Sequence, residues 1–259
     1  MVKVGLKLWN INTDFYFEEA CKLYKQKIFD YIELYIVPSH LELLKKWKTL
    51  SIPFDIHAPH FAHKMNLSKP EYRESNLLLY KEVQEYADEL NASVIVFHGG
   101  SGGNYKETAK QLLSFSDKRS LIENKPYETL PFVNEAFYVG SKFEEIEYII
   151  NNSNCGFCLD IGHAVCAANS FGINPYLYIE KFLSLSPKRI HLSDTDIDTT
   201  LDKHFNLGDG NLDIKRILSM LPKNINITIE TNKKSKTNLD DFVRDVAILK
   251  EILKWKHWQ

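Results

Sequence analysis

Residues 156–164, GFCLDIGHA, begin as an apolar strand and end, with no turn sequence between, in an aspartate, a glycine and a histidine. A short run that is apolar on both faces is typical of a strand in a parallel sheet, which helices cover on both sides. Ionisable groups are costly to bury unless they have partners. The segment therefore places Asp160 and His163 at a strand end, where they need a partner or a function.

Five further apolar segments end in ionisable residues in the same way. These segments are FDIHAPH, VIVFHGG, SLIENKP, RIHLSD and ITIETN, and their polar endings are His57, His98, Glu123, His191 and Glu230. A single histidine or carboxylate at a strand end is most often a satisfied core residue or a helix cap. The repetition of this arrangement along one chain needs a common explanation.

Apolar segments alternate with amphipathic ones along the whole chain. The strand candidates are VKVGLKL, YIELYIV, FDIHAP, SVIVFHG, SLIEN, GFCLDIG, RIHLSD and ITIET, and each is followed by a helical pattern, eight of each kind. Strict alternation predicts parallel strands joined by right-handed crossovers. Because eight strands favour closure over an open sheet, we expect a single (β/α)8 TIM barrel over residues 1–259.

Length and charge agree with this fold and restrict the partners. The chain has 259 residues, close to the roughly 250 of a typical TIM barrel. Its formal net charge of -2 gives no general attraction to nucleic acid or to an anionic membrane, although a local basic rim would suffice for DNA. No segment reads as a signal peptide or a membrane span. We expect a cytoplasmic monomer with no membrane partner.

The carboxyl ends of the strands form the mouth of a TIM barrel, so side chains there converge on one cavity. Asp202 and His204 join this group, since they lie two residues apart in LDKHF and would project to the same side of an extended segment. The complete set is His57, His98, Glu123, Asp160, His163, His191, Asp202, His204 and Glu230.

Four carboxylates in this set predict bound cations. Burying one unpaired carboxylate costs on the order of several kcal/mol, so four of them would cost as much as the whole stability of a domain, which is roughly 5 to 15 kcal/mol. Lys125 and a few arginines are too few and not obviously placed, whereas imidazole and carboxylate are ligands that zinc accepts. Nine groups exceed what one ion can use, so two or three ions with a bridging carboxylate fit better. Closely spaced ions favour phosphoester hydrolysis, because they bind both the attacking and the leaving oxygen.

Seven short motifs follow one another along the chain, namely IHAPH, FHGG, IENKP, LDIGHA, HLSD, LDKH and IET. In their order and approximate spacing they resemble the metal-binding motifs of the endonuclease IV family, AP endonuclease family 2. The resemblance covers the third strand to the eighth. It implies one zinc on His57, His98 and a bridging Glu123, a second on Glu123, Asp160, His191 and Glu230, and a third on His163, Asp202 and His204. It also implies that a zinc-bound hydroxide attacks the phosphate 5' to an abasic site in DNA, with Glu230 helping to orient or activate it.

The segments that read DNA in that family do not match. A GxHxS motif and an aromatic, basic loop after the second strand are replaced by GLKLW and LYIVPSH. The aromatic residue expected three positions after the first ligand is His60, the segment after the bridging glutamate is NKPYETLP, and the interval from His191 to Asp202 is about two residues short. The resemblance therefore extends to the metal ligands and not to the DNA-binding loops.

The IENKP segment leaves a second function open. It looks like the glutamate-x-lysine-proline motif of xylose isomerase, whose lysine polarises a sugar carbonyl. Sugar isomerases and epimerases of this superfamily use a mononuclear Mn²⁺ or Mg²⁺ site, which here would consist of Glu123, Asp160, His191 and Glu230. Lys125 would then polarise a carbonyl, or grip a phosphate in a hydrolase, and otherwise it is a solvated loop lysine.

The substrate pocket is expected to include aromatic residues from the mouth loops, namely Trp9, His60, His63 and Tyr127. Abasic-site DNA and a phosphorylated, sugar-like small molecule remain alternative partners. A binding protein that retains the metal ligands only for stability is a third alternative, although so costly a cavity favours chemistry.

Overall fold

The computed structural model describes residues 2–131 and 133–256. Eight parallel strands form a closed barrel in which each strand pairs with the next along the chain and the last pairs with the first. The strands are β1 Val4–Trp9, β2 Tyr31–Tyr35, β3 Phe54–His57, β4 Ile95–His98, β5 Ser120–Glu123, β6 Gly156–Asp160, β7 Arg189–Leu192 and β8 Asn226–Ile229. The predicted TIM barrel is confirmed.

Nine α-helices lie within the described residues, against the eight that the sequence predicts. They are α1 Phe17–Lys25, α2 Leu44–Trp47, α3 Arg73–Glu89, α4 Tyr105–Phe115, α5 Phe143–Ser153, α6 Ile161–Ser170, α7 Pro175–Leu183, α8 Ile214–Met220 and α9 Asp240–Lys256. No helix in this part of the chain has the length and apolarity needed to cross a membrane.

The additional helix, α6, begins directly after Asp160, the residue that ends β6. The Asp160 side chain accepts a hydrogen bond from the backbone N–H of His163 at 2.7 Å, so this strand-end aspartate is also the N-cap of the helix. Helix α6 is buried from Ile161 to Ala168 and therefore lacks the polar face by which the other helices are recognised. The N-cap fixes Asp160 and His163 relative to each other at the barrel mouth.

Two long irregular segments follow β3 and β5. The first contains two short 3₁₀ turns, Phe61–His63 and Pro70–Tyr72. A third 3₁₀ turn, Leu41–Leu43, directly precedes α2, which is only one turn long. The loops after β3 and β5 stand above the barrel and form part of its mouth.

The barrel interior contains charged residues among the apolar ones. Lys7, Glu33 and Asp55 are neighbours in the strand register of β1, β2 and β3. Because successive residues of a strand face opposite sides, Lys7 faces away from Leu6 and Leu8, which pack in the main core between the strands and the helices. Charged groups therefore lie inside the barrel, directly beneath the mouth.

Candidate metal centre

The structure brings all nine predicted ligands to the carboxyl ends of β3 to β8. Four strands end in a predicted ligand: β3 in His57, β4 in His98, β5 in Glu123 and β6 in Asp160. His191 is the last residue but one of β7, and Glu230 directly follows β8. The other three lie outside the strands, His163 in the first turn of α6 and Asp202 and His204 in the loop after β7. Five of them are buried and the other four are half-buried. The set surrounds the mouth as the fold requires.

The Glu123 carboxylate lies between the imidazoles of the first group. One oxygen is 3.2 Å from His57 Nε2, and the other is 3.3 Å from His98 Nε2. The His57 ring donates from Nδ1 to the carbonyl oxygen of Ala58 at 2.8 Å, which leaves Nε2 as the nitrogen with a free lone pair. His57, His98 and Glu123 together offer three ligand atoms to one ion.

The second group surrounds His191 Nδ1. This nitrogen is 2.9 Å from Glu230 Oε2, 3.3 Å from Glu123 Oε2 and 3.9 Å from Asp160 Oδ2. Within the described residues, neither His191 Nδ1 nor Asp160 Oδ2 has a hydrogen-bond partner of acceptable geometry, although both atoms are buried. Ligand atoms around a tetrahedral zinc lie about 3.3 Å apart. The unpaired atoms therefore fit a bound cation better than they fit a hydrogen-bonded network.

The third group is formed by α6 and the loop after β7. His163 Nε2 and His204 Nε2 lie 3.0 and 2.7 Å from the same carboxylate oxygen of Asp202. His204 Nδ1 lies 2.7 Å from the carbonyl oxygen of Glu230, and His163 Nδ1 lies 2.9 Å from that of Asn124. The two backbone carbonyl groups thus hold the Nδ1 atoms of both rings and turn both Nε2 atoms toward Asp202. This orientation lets the three side chains bind the same ion.

Two residues that the sequence analysis missed, Lys7 and Glu33, lie beneath this centre. Lys7 Nζ is 2.6 Å from Glu33 Oε1 and 3.3 Å from Glu230 Oε2. The other Glu33 oxygen accepts from His191 Nε2 at 2.9 Å, which turns Nδ1 of that ring toward the cavity. Both residues lie in the middle of their strands. A lysine and a glutamate inside apolar strands, GLKLW and YIELYIV, were the available signal.

Lys125 lies inside the centre, so its interpretation as a solvated loop lysine is wrong. The side chain is buried, and Nζ is 3.1 Å from His163 Nε2, 3.4 Å from His98 Nε2 and 3.5 Å from Glu123 Oε1. Lys7, which the sequence analysis did not place there, adds a second buried ammonium group. The two ammonium groups face five carboxylates, those of Glu33, Glu123, Asp160, Asp202 and Glu230, and are too few to offset them.

In the metal-free protein, protonated histidines compensate part of the remaining negative charge. Burial opposes a charge on His163, but Asp160 and Asp202 outweigh it and raise its pKa to about 10. Burial likewise opposes a charge on His204, and Asp202 raises its pKa to about 9. Metal binding requires neutral imidazoles, so a cation at the third group would displace these protons.

The first group has the opposite electrostatics. Burial and the nearby Lys125 lower the pKa of His98 to about 3. Burial and Lys7 also lower the pKa of His57. Both rings are therefore neutral at physiological pH, which is the form of imidazole that binds metal ions.

An open cavity of about 520 Å³ lies above the centre. Trp9 and His60 line it, as predicted, and the His60 ring stacks on His98 with their centroids 5.2 Å apart. His63 and Tyr127 do not line it. His63 lies behind Tyr35, whose hydroxyl is 2.7 Å from its Nδ1, and Tyr127 stacks on Phe137. The cavity wall is thus partly aromatic, with two of the four predicted residues.

Comparison with known proteins assigns the family. A family model described as xylose isomerase-like TIM barrel matches residues 22–252. The chain belongs to the xylose isomerase-like TIM barrel family. One relative, apurinic-apyrimidinic endonuclease 1 of Plasmodium berghei, is 27% identical in an alignment of 197 residues that covers 67% of this chain. The chain spans only 38% of the length of that relative.

Several solved structures share the fold over nearly the whole chain. A D-tagatose 3-epimerase-like protein has a TM-score of 0.73 at 20% identity, and the match covers 98% of this chain and 97% of that one. Endonuclease IV from Thermus thermophilus has a TM-score of 0.69 at 18% identity, and the match covers 97% of this chain and 99% of that one. The fold is thus shared with proteins that are named for endonuclease and for epimerase activity.

Proposed function

We propose that the protein is a zinc-dependent phosphoester hydrolase with a centre for up to three ions. The observation that carries this proposal is the third ligand group, His163, Asp202 and His204, because Asp202 and His204 belong to no ligand group that contains Glu123. His163 Nδ1 lies 2.9 Å from Glu123 Oε1, so this group adjoins the other two. A mononuclear isomerase centre has no need of these three residues. A multinuclear centre with one carboxylate between two groups suits phosphoryl displacement, in which two oxygens must be stabilised together.

The ligand atoms of the three groups fit zinc by their chemistry. The first ion would be held by His57, His98 and Glu123, the second by Glu123, Asp160, His191 and Glu230, and the third by His163, Asp202 and His204. Zinc supplies Lewis acidity and lowers the pKa of water. The chain itself supplies the other functions.

Three parts of the chain would act on the substrate directly. Glu230 is half-buried at the cavity edge and is held by Lys7, so it can orient a water molecule for attack. The Lys125 ammonium would stabilise negative charge on the phosphoryl oxygens. Trp9, whose side chain is exposed at the mouth, and His60 would contact the sugar or base beside the phosphate.

Abasic-site DNA is the first substrate to test. Support comes from the matched ligand motifs and from a relative that is named an apurinic-apyrimidinic endonuclease. The divergent loops after the first, second and fifth strands weigh against tight DNA binding, so a smaller phosphoester could replace DNA without a change in chemistry.

The test compares zinc-loaded wild type with Glu123→Gln on two substrates, an abasic oligonucleotide and bis(p-nitrophenyl) phosphate. Asp55→Asn is the matched control, since Asp55 is a buried barrel carboxylate that pairs with Arg189 at 2.6 Å outside the ligand groups. We expect hydrolysis by wild type and by the control, and its loss in Glu123→Gln. Cleavage of the small diester alone would remove DNA as substrate, and cleavage of neither would contradict the proposal.

A divalent-metal sugar or sugar-phosphate isomerase or epimerase is the second candidate. Lys125 favours it, because its ammonium lies 3.5 Å from Glu123 at the edge of the cavity, where it could polarise a carbonyl. This function would use one Mn²⁺ or Mg²⁺ at Glu123, Asp160, His191 and Glu230. Incorporation of solvent deuterium into a ketose, with no phosphoester cleavage, would select it.

A further inference from the structure

Lys233 is a cationic residue of the cavity that the metal centre does not use. It lies in the loop after β8, three residues beyond Glu230, and its half-buried side chain lines the cavity. Burial lowers the pKa of its ammonium to about 8, despite the attraction of Glu230. A half-buried charge at this position needs a counterion.

Within the described part of the chain, no carboxylate lies close enough to Lys233 to form a direct ion pair. Across residues 2–131 and 133–256, its ammonium group has no hydrogen bond and no ion pair. Its neighbours differ, because Lys234 pairs with Asp209 at 3.3 Å and Lys203 pairs with Asp196 at 2.6 Å. The fold therefore satisfies the surrounding lysines and leaves this one available to a ligand.

Asn12 supplies a second donor on the same side of the mouth. It follows β1, the strand that pairs with β8, and it lines the same cavity. Its side-chain oxygen accepts from the Trp9 backbone N–H at 2.8 Å, whereas its amide nitrogen has no partner in the described part of the chain. The side chains of the intervening Thr231 and Asn232 bond inward, to Asp245 and to the Lys203 backbone.

We propose that Asn12 and Lys233 form an anion subsite, next to the metal centre, that binds a phosphate group of the substrate. The proposal rests on the proposed function and extends it, since the substrate would carry a phosphate in addition to the group that reacts. An ammonium and an amide N–H₂ are donors suited to phosphate oxygens. In TIM barrels the loops after the last strands are a frequent place for phosphate.

The test titrates inorganic phosphate into the purified protein by isothermal calorimetry. Lys233→Met removes the charge, Lys233→Arg retains it, and Lys234→Met is the matched control at the adjacent, exposed and paired lysine. We expect phosphate binding to weaken about tenfold or more in Lys233→Met and to stay near wild type in the other two. Equal affinity in Lys233→Met and Lys234→Met, with both folded by circular dichroism, would overturn the proposal.

Two further ligands identify the source of the phosphate. Ribose 5-phosphate represents a small phosphomonoester, and an abasic oligonucleotide represents a nucleic-acid backbone. A loss of affinity in Lys233→Met for one of them assigns the subsite to that source, and a loss for neither overturns it. Because inorganic phosphate is not turned over, absence of hydrolysis alongside Lys233-dependent binding of inorganic phosphate would refute the proposed function and leave the subsite standing.

Discussion

Glu33 Oε2 accepts a hydrogen bond from His191 Nε2 at 2.9 Å, inside the barrel and out of reach of solvent. The same carboxylate binds Lys7 through its other oxygen and receives the hydroxyl of Thr228 at 2.7 Å. Its negative charge would make His191 a stronger metal ligand, and the hydrogen bond fixes which nitrogen faces the cavity. The candidate metal centre therefore has a second layer that spans β1, β2, β7 and β8.

Glu33→Gln should lower zinc affinity about 10- to 100-fold, because a neutral amide cannot hold His191 and Lys7 as the carboxylate does. Competition with a chromophoric chelator measures the affinity. Asp55→Asn, which removes another buried barrel carboxylate, controls for loss of stability. Wild-type affinity in Glu33→Gln would show that this second layer does not influence the metal.

Removal of metal should lower the melting temperature by about 5 to 10 °C. An ion present at 100 times its dissociation constant stabilises the fold by roughly 2.7 kcal/mol, and each kcal/mol shifts a chain of this size by about 2 to 4 °C. Calorimetric melting with and without a chelator measures the shift, and added zinc should reverse it. An unchanged melting temperature on chelation would mean that lysines and protonated histidines already neutralise the cluster.

His204→Ala should remove one ion and leave the others. His204 contacts Asp202 at 2.7 Å, and neither residue contributes to the groups around His57 and around His191. The measurement is zinc content per chain after gel filtration. His63→Ala is the matched control, since that histidine bonds to Tyr35 outside the cavity. A loss of all zinc in His204→Ala would mean that the ligand groups do not bind independently.

Lys125→Met should lower kcat for diester hydrolysis about 100- to 1,000-fold and leave the zinc content unchanged. Its ammonium is placed to stabilise charge that develops on the phosphoryl group, an effect of about that size for one donor. Steady-state kinetics and metal analysis on the same sample separate the two effects. If zinc content rises as activity is kept, Lys125 acts mainly as a cation that competes with metal.

The sequence predicts the barrel and the nine converging residues, because both follow from local features. Apolar strands that end in ionisable groups are visible one segment at a time, and parallel topology brings their ends together. Helix α6 was missed for a physical reason, since it is buried and continues directly from the Asp160 cap, so that its pattern resembles an extended apolar run.

The part of the site that sequence reasoning missed depends on contacts across the barrel. Lys7 and Glu33 lie in mid-strand, and only the register that pairs β1 with β2 and brings them near β7 shows that they support His191. The position of Lys125 could not be predicted either, because it depends on how the loop after β5 turns inward, where its backbone N–H bonds to the carbonyl oxygen of Gly140 at 3.1 Å.

The most direct test of the metal centre is the zinc content of the pure, folded wild-type chain after reconstitution and removal of loose metal. Inductively coupled plasma mass spectrometry should find close to three zinc ions per chain. A well-folded chain that retains no zinc, and takes up no other divalent metal, would contradict the proposal that these nine side chains form a multinuclear centre.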